Sequence, residues 1–501
     1  MKTLKQIYSF IGLKRKVTQD VECLDLQVDS RALKKGDIFV ALKGTKVNGL
    51  DYAKVAAKNG ASAILFLHDN MPTALQVEGV DIPLIKLPER KSLGDFCSWF
   101  YDEPSKKLSL IGITGTNGKS TITQLIAQWL SFGFDAKCAV LGTLGFGFLP
   151  NLEKSANTTL DAVRLHKTLA NLVKQGARFA ALEVSSIGVC EGRIDGCQFA
   201  AGGFTNLTRD HLDYHKTMEN YAEAKFDFLK RVPSSKLVIN ADNATGQKFA
   251  EDLGGCIVYS CKENFMGSTT SMLFSQYVWI RKVTYKAHSI ALEVESSFGT
   301  GKCEIGFLGG FNVENFACAL SVLLALGYPL DKLLLKANLL KPIKGRMECF
   351  VKTGKPHIVV DYAHTPDGVE QVLKGVRDHH PKGKIFCVIG CGGDRDKGKR
   401  PIMAIKASVF SDVAIFTSDN PRTEDPKAIL DDMALGVTEA NNVTLIEDRE
   451  KAIEYAFSHA GENDCIVIAG KGHEDYQIFK DKTIHFSDRE VACKLLGVKC
   501  D

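Results

Sequence analysis

One stretch, residues 108–121, constrains the fold of this chain more than any other, because glycines and a lysine join an apolar run to a helical pattern. The run over residues 108–113 has the character of a buried parallel strand. Apolar residues then recur at the spacing of one helix face: Ile122, Leu125, Ile126, Trp129 and Leu130. The stretch therefore predicts a strand, a glycine-rich loop and a helix that begins just past Gly118.

This loop has the chemistry of a phosphate-binding turn. Its backbone N–H groups and the positive end of the helix dipole meet at one point, which suits a polyphosphate. Lys119 can reach terminal phosphate oxygens, and Ser120 can bind Mg²⁺. The longer G-x-x-x-x-G-K-[ST] pattern fails at Ile113, so the shorter TGTNGKS form remains. The alternative is a tight glycine-rich turn that only connects the strand to the helix, and the Gly-Lys-Ser-Thr ending disfavours it.

Chain length and the positions of two polar, proline-containing segments predict three domains. A chain of 501 residues is too long for one hydrophobic core and suggests about three domains of roughly 150 residues. Polar segments that contain proline mark boundaries near residues 102–105 and 341–342. We predict an α/β fold with a small α/β domain (1–104), a central parallel-sheet phosphate-loop ATPase domain (105–343) and a Rossmann-like C-terminal α/β domain (344–501).

The composition excludes several classes of partner. A net charge of +4, from 63 basic and 59 acidic residues, does not favour nucleic-acid or membrane binding. No apolar run approaches the ~20 residues of a membrane span, and residues 7–13 lack the cleavage pattern of a signal peptide. Fifteen cysteines without a C-x-x-C pair predict reduced thiols in a cytoplasmic protein. We expect a monomer that acts on small molecules.

Two strands of the central domain lead to residues that can bind a cation. Glu183 ends one strand and His211 follows another, and ligands of α/β sheets bind beyond such carboxyl ends. Beside a phosphate loop, both side chains suit Mg²⁺. His211, Asp213 and His215 could instead suggest zinc, but this spacing without cysteine is weak evidence for a structural zinc site.

Lys225 is unusual for the helix that begins at Thr217. It shares the apolar face with Tyr221, Phe228 and Leu229, so we expect it to be buried or to face the site. A surface lysine with its stem along apolar side chains is the plain alternative. A desolvated lysine has a lowered pKa and is nucleophilic. It could react with CO₂ to form a carbamate that binds a second cation.

The strands of the last domain also end in polar segments, over residues 361–364, 390–400, 419–422 and 470–475. Four such segments at one sheet edge predict a binding face. The dinucleotide pattern G-x-G-x-x-G fails at Arg395, and the guanine-specific Asn-Lys-x-Asp pattern is missing at residues 240–242. Asn312 could cap the apolar helix that follows it or contact an adenine edge.

Taken together, these motifs resemble the Mur ligases, the amide-forming enzymes of peptidoglycan synthesis. The matching motifs are TGTNGKS at 114–120, EVSS at 183–186, TN at 205–206, DH at 210–211, Lys225, DYAH at 361–364 and DNPR at 419–422. They cover nearly the whole chain in order. The resemblance implies an ATP-dependent ligase that adds meso-diaminopimelate to UDP-N-acetylmuramoyl-L-alanyl-D-glutamate through an acyl phosphate, with Mg²⁺ as cofactor.

The resemblance also implies a role for each matching residue. The ATP site would comprise Gly115, Thr116, Asn117, Gly118, Lys119, Ser120, Thr121, Asn312, Arg346, Asp361 and His364. The UDP-dipeptide would contact the first domain and Ser30, Thr158, Thr159, Ser185, Glu191 and Arg193. The incoming amino acid would contact Arg395, Asp419, Asn420, Pro421, Arg422, Gly470 and Glu474. The metal ligands would be Ser120, Glu183, His211 and carbamylated Lys225, and the catalytic residues Lys119, Lys225 and His211.

Arg422 favours diaminopimelate over L-lysine as the incoming amino acid. Diaminopimelate carries one extra carboxylate, for which a guanidinium is a bidentate partner. The same ligase with L-lysine is the alternative, and an ion pair between Arg422 and Glu424 is the plain interpretation of the arginine. Four features depart from the family pattern, namely Thr45 with Lys46, Leu160, Ile187 and Glu191.

Three other classes share part of this pattern. A folylpolyglutamate-type ligase has the phosphate loop and the lysine, but the DSR segment at 29–31 and DNPR disfavour it. A phosphate-loop kinase or GTPase would not form an amide. A binding module would bind ATP without turnover, and the complete set of metal and lysine residues disfavours that class.

Overall fold

The computed structural model describes residues 1–13, 20–42, 48–67, 79–87, 92–155, 157–438 and 440–500. The chain divides into two units. Unit 1 comprises Met1–Ser260, Phe265–Val278 and Cys318–Pro329, and unit 2 comprises Cys261–Asn264, Trp279–Ala317 and Leu330–Asp501. The predicted α/β class is confirmed, whereas the three domain boundaries stay predictions. Thr45 and Lys46, two of the departures from the family pattern, lie outside the described residues.

The N-terminal part of unit 1 contains a small parallel sheet of order β3-β4-β5-β6. The strands of this sheet are β3 Leu26–Gln27, β4 Ile38–Ala41, β5 Ala63–Leu67 and β6 Leu84–Leu87, and a separate antiparallel pair consists of β1 Lys2–Thr3 and β2 Glu22–Cys23. The helices of this part are α1 Leu4–Phe10, α2 Ala53–Lys58, α3 Ser92–Phe100 and α4 Pro104–Lys107. Successive side chains of β4 enter different cores, because strand residues alternate between faces: Ile38 and Val40 pack in one, Phe39 and Ala41 in the other.

The phosphate-loop strand is central in the larger sheet of unit 1, which has the order β10-β9-β8-β11-β7-β12-β13-β14. The strands are β7 Ser109–Thr114, β8 Cys138–Gly142, β9 Gly145–Phe148, β10 Asn151–Glu153, β11 Phe179–Glu183, β12 Ala201–Phe204, β13 Leu237–Asn240 and β14 Ile257–Ser260. The helices are α5 Lys119–Gln128, α6 Ala162–Lys174, α7 Ser186–Cys190, α8 Leu212–His215, α9 Met218–Leu229, α10 Ala244–Leu253 and α11 Thr269–Leu273. Both β11 and β12 pair with β7 in parallel, so their carboxyl ends flank the loop.

Residues 105–343 depart from a simple alternation of parallel strands and helices in two places. Strands β9 and β10 pair antiparallel, and β15 Tyr277–Tyr285, β16 Ile290–Ser296 and β17 Gly299–Ile305 follow one another with no helix between them. Residues of β16 alternate strictly between buried and half-buried, and β16 pairs antiparallel with β17. This period of two is typical of an antiparallel sheet with one solvated face. Helices α12 Gly310–Ala325 and α13 Leu330–Leu335 come next.

The last part of unit 2 has a sheet of order β18-β19-β23-β20-β21-β22, in which only β18 is antiparallel. The strands are β18 Glu348–Phe350, β19 His357–Asp361, β20 Ile385–Ile389, β21 Val413–Phe416, β22 Val443–Leu445, β23 Cys465–Ala469, β24 Tyr476–Ile478 and β25 Thr483–His485. The helices are α14 Pro366–His379, α15 Lys399–Phe410, α16 Pro426–Ala434, α17 Arg449–His459 and α18 Asp488–Leu496. Loops after β19, β20, β21 and β23 therefore meet at one edge, as predicted.

Two other expectations concern the chain as a whole. All fifteen cysteines are free thiols, and most of them are buried. Within the described ranges, no helix has the length and apolar character needed to cross a membrane.

Candidate active site

The phosphate loop in unit 1 is held from two neighbouring strand ends. Thr205, just past β12, donates from its hydroxyl to the Asn117 carbonyl at 2.6 Å, and the Asn206 side chain accepts from the Asn117 N–H at 3.0 Å. Gly115 has a φ of 148°, and a Cβ there would overlap the Thr205 hydroxyl. Helix α5 begins directly after Gly118. The backbone thus has the predicted shape of an anion-binding turn.

Lys119 folds back over this loop. Its ammonium group donates to the carbonyls of Gly115 and Thr116, at 2.9 and 2.8 Å. Burial lowers the pKa of Lys119, while the nearby carboxylates of Glu183 and Asp210 oppose that shift. The positive charge therefore lies at the mouth of the loop, where terminal phosphate oxygens are expected.

Glu183, at the end of β11, has the environment of a cation ligand. Its carboxylate accepts from the Thr143 N–H at 2.9 Å and from the Thr143 hydroxyl at 3.2 Å, and the Ser120 hydroxyl also donates to it. Burial raises the pKa of Glu183 in spite of these donors. A buried carboxylate beside a serine hydroxyl offers the hard oxygen donors that Mg²⁺ prefers, so these residues fit the predicted ion.

Tyr221, a residue that the sequence analysis placed only on an apolar face, is the common neighbour of three predicted site residues. Its hydroxyl lies 3.2 Å from the Thr116 hydroxyl, its ring centroid 6.1 Å from that of His211, and the Lys225 ammonium 4.4 Å from its ring centroid. Lys225 is buried, with 1% of its surface exposed. The interpretation of Lys225 as a solvated surface lysine is therefore wrong.

Burial lowers the pKa of Lys225 well below its usual range, and the nearby charge of Lys119 adds to this effect. The zinc alternative finds no support, because His215 contacts the Ser186 hydroxyl at 2.9 Å instead. Across the described part of the chain, no group of three or more His, Cys, Asp or Glu side chains is arranged to hold a metal ion.

Most residues expected to contact the UDP-dipeptide form one hydrogen-bonded cluster. The Thr159 hydroxyl lies 3.0 Å from the Ser185 hydroxyl and donates to the Glu183 carbonyl at 2.8 Å. Arg193 donates to the Thr159 carbonyl at 2.7 Å, and it forms an ion pair with Glu191 at 2.6 Å. Thr158 joins the cluster through Thr143, with 3.0 Å between their hydroxyls. Ser30 is instead bonded through its carbonyl to the Asn59 side chain at 2.9 Å.

In unit 2, three residues expected beside ATP surround Tyr362. The Asp361 carboxylate accepts from the N–H groups of Met347 and Ala363, both at 2.7 Å, and burial raises its pKa. The Arg346 guanidinium lies 4.7 Å from the Tyr362 ring centroid. His364 contacts the Tyr362 carbonyl through Nδ1 at 2.9 Å.

Asn312 lies inside the first turn of α12, which begins at Gly310, so its interpretation as a helix cap is wrong. Its amide donates to the Leu308 carbonyl at 2.8 Å and accepts from the Asn315 amide at 3.1 Å. Contact with an adenine edge stays a prediction.

The loops expected to hold the amino acid are joined by a buried lysine that the sequence analysis did not single out. Lys471 donates to the Glu474 carboxylate at 3.0 Å and to the Asn420 amide oxygen at 3.4 Å. The Asn420 amide also donates to Glu474 at 2.9 Å. Burial raises the pKa of Asp419, and the positive charges of Arg449 and Lys471 oppose this shift. A Cβ at Gly470 would lie 2.7 Å from the Asp419 carboxylate, so glycine permits this close approach.

Arg449 is a second functional candidate that sequence reasoning missed. It forms a fully buried ion pair with Asp488, with an N–O distance of 2.7 Å. It also donates to the carbonyls of Ser418 and Ala469, at 3.3 and 2.9 Å, and so holds the chain just past β21 and the end of β23. An arginine in the DREK run of residues 448–451 resembles any exposed helix residue, so the sequence contains no signal for this role.

Arg422 does not pair with Glu424, which corrects the plain interpretation. In the residues that the structure describes, no carboxylate lies within 4.0 Å of its guanidinium, and Glu424 pairs with Arg400 and Lys397 instead. Arg422 donates from Nη1 to the Gly393 carbonyl at 2.7 Å. Arg395 and Pro421 lie on the same two loops, with Pro421 buried and Arg395 exposed.

Comparison with known proteins identifies the family. Three family models match in chain order: the Mur ligase family catalytic domain over residues 25–100, the Mur ligase middle domain over 113–323 and the Mur ligase glutamate ligase domain over 345–472. The chain is 44% identical over 488 residues to a UDP-N-acetylmuramoyl-L-alanyl-D-glutamate--2,6-diaminopimelate ligase of Vibrio vulnificus, covering 96% of this chain and 95% of that one. This chain belongs to the Mur ligase family.

Two further comparisons agree with this assignment. A relative of the same name from Haemophilus influenzae is 41% identical over 501 residues, covering 99% of this Mur ligase and all of the relative. A solved structure titled as the same ligase superimposes with a TM-score of 0.71 at 34% identity, covering 98% of both chains. The predictions of family, fold class and ligase activity are confirmed, and the roles of single site residues stay predictions.

Proposed function

We propose that this Mur ligase joins meso-diaminopimelate to UDP-N-acetylmuramoyl-L-alanyl-D-glutamate, with cleavage of ATP to ADP and phosphate. The observation that carries the proposal is the full-length similarity to relatives of that name, at 41% and 44% identity. The arrangement of Arg422, without a carboxylate partner among the described residues, supports diaminopimelate over L-lysine. The cytoplasmic location and monomeric state expected from the sequence belong to this proposal.

The phosphate loop supports the first half of the reaction. A carboxylate is a poor electrophile, so one of its oxygens first attacks the γ-phosphorus of ATP, the bond to ADP breaks and an acyl phosphate forms. Lys119 and the loop N–H groups stabilise the charge on the transferred phosphate. Ser120 and Glu183 would hold Mg²⁺, with His211 and carbamylated Lys225 at a second ion, and Mg²⁺ neutralises phosphate charge when bound.

The loops of unit 2 support the second half. The amine nitrogen of the incoming residue attacks the acyl carbon, phosphate leaves, and the nitrogen loses a proton to give the amide. Glu474 and Asp419 are carboxylates that suit the ammonium group of an amino acid. Arg422 has the forked geometry that suits its distal carboxylate.

Coupled phosphate release tests the proposal. We expect purified protein to release phosphate from ATP only when the UDP-dipeptide and meso-diaminopimelate are both present, with a product whose mass equals their sum less one water. Equal turnover with L-lysine would refute the choice of amino acid. Phosphate release without any amino acid would indicate a nucleotide hydrolase, and ADP formation without phosphate release would indicate a kinase. Phosphate release with a folate and glutamate would indicate the folylpolyglutamate alternative.

A further inference from the structure

Two carboxylates lie on the loops around Arg422, and this raises the question of why neither forms an ion pair with its guanidinium. Glu424 follows it by two residues, and Asp394 lies on the neighbouring loop after β20. An ion pair with either carboxylate would occupy the guanidinium before a ligand could reach it. A carboxylate on the same loop competes at an effective concentration on the order of millimolar or higher.

A second arginine, Arg400, binds Glu424 and so keeps this carboxylate away from Arg422. Arg400, with 1% of its side chain exposed, donates from Nη1 to one Glu424 oxygen at 3.0 Å and from Nη2 to the other at 2.8 Å. Lys397 adds an ion pair with Glu424 at 3.3 Å. The hydrogen bonds from Arg400 lower the pKa of Glu424 to about 2, so this carboxylate is charged throughout the neutral range. A bidentate pair of this kind is strong and directional.

Asp394, the carboxylate on the neighbouring loop, also binds other donors. The Asp394 carboxylate accepts from the Thr423 hydroxyl at 2.6 Å and from the Thr423 N–H at 3.3 Å, while the Asp394 N–H donates to Glu424 at 2.6 Å. The carboxylates of Asp394 and Glu424 are thus both bound to donors other than Arg422.

The conformation of Arg422 itself is fixed by its backbone and by two hydrogen bonds. Its φ is 54°, a left-handed conformation that costs free energy for a residue other than glycine. Its N–H donates to the Ile478 carbonyl at 2.9 Å, and Nη1 donates to the Gly393 carbonyl, which directs the guanidinium along the loop. Strain of this kind persists only where the surroundings impose it.

Stability alone does not account for Arg400. Its Nε is buried without a hydrogen-bond partner among the described residues, and an unsatisfied buried donor costs free energy. Taking a guanidinium out of water adds a desolvation cost that ion pairs only partly repay. Arg400 also pairs with Asp432 at 2.7 Å, so it links the Glu424 loop to α16.

We propose that Arg400 is a positioning residue for amino-acid specificity, which binds Glu424 and thereby keeps the guanidinium of Arg422 available for the distal carboxylate of the incoming amino acid. The inference rests on the proposed function for the identity of that ligand. Arg400 also donates to the Gly392 carbonyl at 3.3 Å and pairs with Asp432, but the proposed effect on specificity runs through Glu424. Removal of Glu424 should therefore cancel the effect of removing Arg400, which a purely structural role for Arg400 does not predict.

Four variants test this relation: Arg400→Gln, Glu424→Gln, the double variant, and Arg377→Gln as a matched control. Arg377 is another arginine of unit 2 that forms an ion pair, with Asp412, and donates to loop carbonyls. We expect Arg400→Gln to raise the KM for diaminopimelate about tenfold or more with little change in kcat, since the freed Glu424 competes for Arg422. Glu424→Gln and the double variant should keep a KM within about threefold of the unmodified protein.

Chemical labelling gives a readout that does not depend on turnover. Phenylglyoxal modifies accessible guanidinium groups, and peptide mass mapping reports the rate at Arg422. We expect labelling of Arg422 to slow several-fold in Arg400→Gln and to recover in the double variant. Failure of the unmodified protein to use diaminopimelate would count against the proposed function alone, because the labelling pattern would still report the Arg400–Glu424 relation.

Two results would overturn the inference. One is a double variant as impaired in KM and labelling as Arg400→Gln, which would make Arg400 a structural residue. The other is a Glu424→Gln variant whose KM rises as far as that of Arg400→Gln. Glu424→Gln keeps one side-chain oxygen, which can still accept from Arg400 Nη2 and from the Asp394 N–H. Even where Arg400→Gln does not fold, a rise of about tenfold or more in the KM of Glu424→Gln would overturn the inference.

Discussion

Lys225 and Lys471 show how surroundings decide the chemistry of one residue type. Both side chains are buried, but Lys471 has an ion-pair partner in Glu474. Lys225 faces the Tyr221 ring and, among the described residues, has no carboxylate within ion-pair distance. Burial favours the neutral amine, which is the form that reacts with CO₂. In the proposed carbamate, Nζ forms a bond to the carbon of CO₂, one C=O π bond opens to give the carboxylate, and Nζ releases one proton.

Lys225→Ala is expected to lower the rate of phosphate release by about 100-fold or more, because a carbamate ligand for the second cation is lost. Added acetate or another short carboxylate should restore part of the rate by entering the space that the lysine leaves. Steady-state assays with and without the carboxylate measure both effects.

Lys225→Arg serves as the control for that experiment, because it keeps a positive charge but has no nucleophilic amine. It should be as inactive as Lys225→Ala. Unchanged activity in either variant would remove the carbamate role.

At the scale of elements, strand ends bring backbone and side chains so close together that only glycine fits. A Cβ at Gly115 would overlap the Thr205 hydroxyl, and one at Gly142 would overlap the Glu183 carboxylate. The two glycines lie at the carboxyl ends of β7 and β8, the strands on either side of β11 in the larger sheet of unit 1. The close approach of these ends places the loop and Glu183 side by side.

Gly115→Ala is expected to lower the free energy of unfolding by more than about 2 kcal/mol and to abolish phosphate release, since the loop must move away from Thr205. Gly176→Ala is the control: its φ of 86° is also left-handed, but a Cβ there meets no atom within 4 Å. That variant should lose only about 1 kcal/mol and keep its activity. Denaturant unfolding and the coupled assay compare the two, and equal losses would contradict the steric argument.

At the scale of the whole molecule, buried ionisable groups make stability depend on pH. His166 in α6 is fully buried, with Nε2 2.9 Å from the Asp195 carbonyl and an Nδ1 that has no partner among the described residues. Burial lowers the pKa of His166 to about 4, against about 6.5 in an unfolded chain. Between these values the unfolded state binds more protons, so the stabilising effect is complete above about pH 6.5 and is lost as pH falls toward 4.

The stability of the protein should therefore fall as pH decreases from 6.5 to 4, with up to about 3 kcal/mol of the loss due to His166. A His166→Gln variant should show a flatter dependence of the melting temperature on pH over this range, whatever its stability at pH 7. His459→Gln, at an exposed position, is the control. An unaltered slope in His166→Gln would contradict the assignment.

Much of the fold and part of the site could be predicted from local pattern. The apolar runs at residues 413–416 and 465–469 coincide with strands of the structure to the residue, because short apolar runs between polar loops are typical of buried parallel strands. The antiparallel strands of residues 277–305 were missed, although the period of two in residues 290–296 was visible. Tyr221, Lys471 and Arg449 were missed as site residues, because their importance arises from neighbours far away in the chain.

Local amino-acid order is enough to predict the phosphate loop, the lysine on an apolar face, the acidic and basic residues after parallel strands, and the family. These features depend on spacing within a few residues, which amino-acid order encodes directly. The pairing of charged side chains, in contrast, is known only from the three-dimensional arrangement. Glu424 is two residues from Arg422 but pairs with Arg400, because ion pairs follow from the packing of loops and helices and not from proximity in the chain.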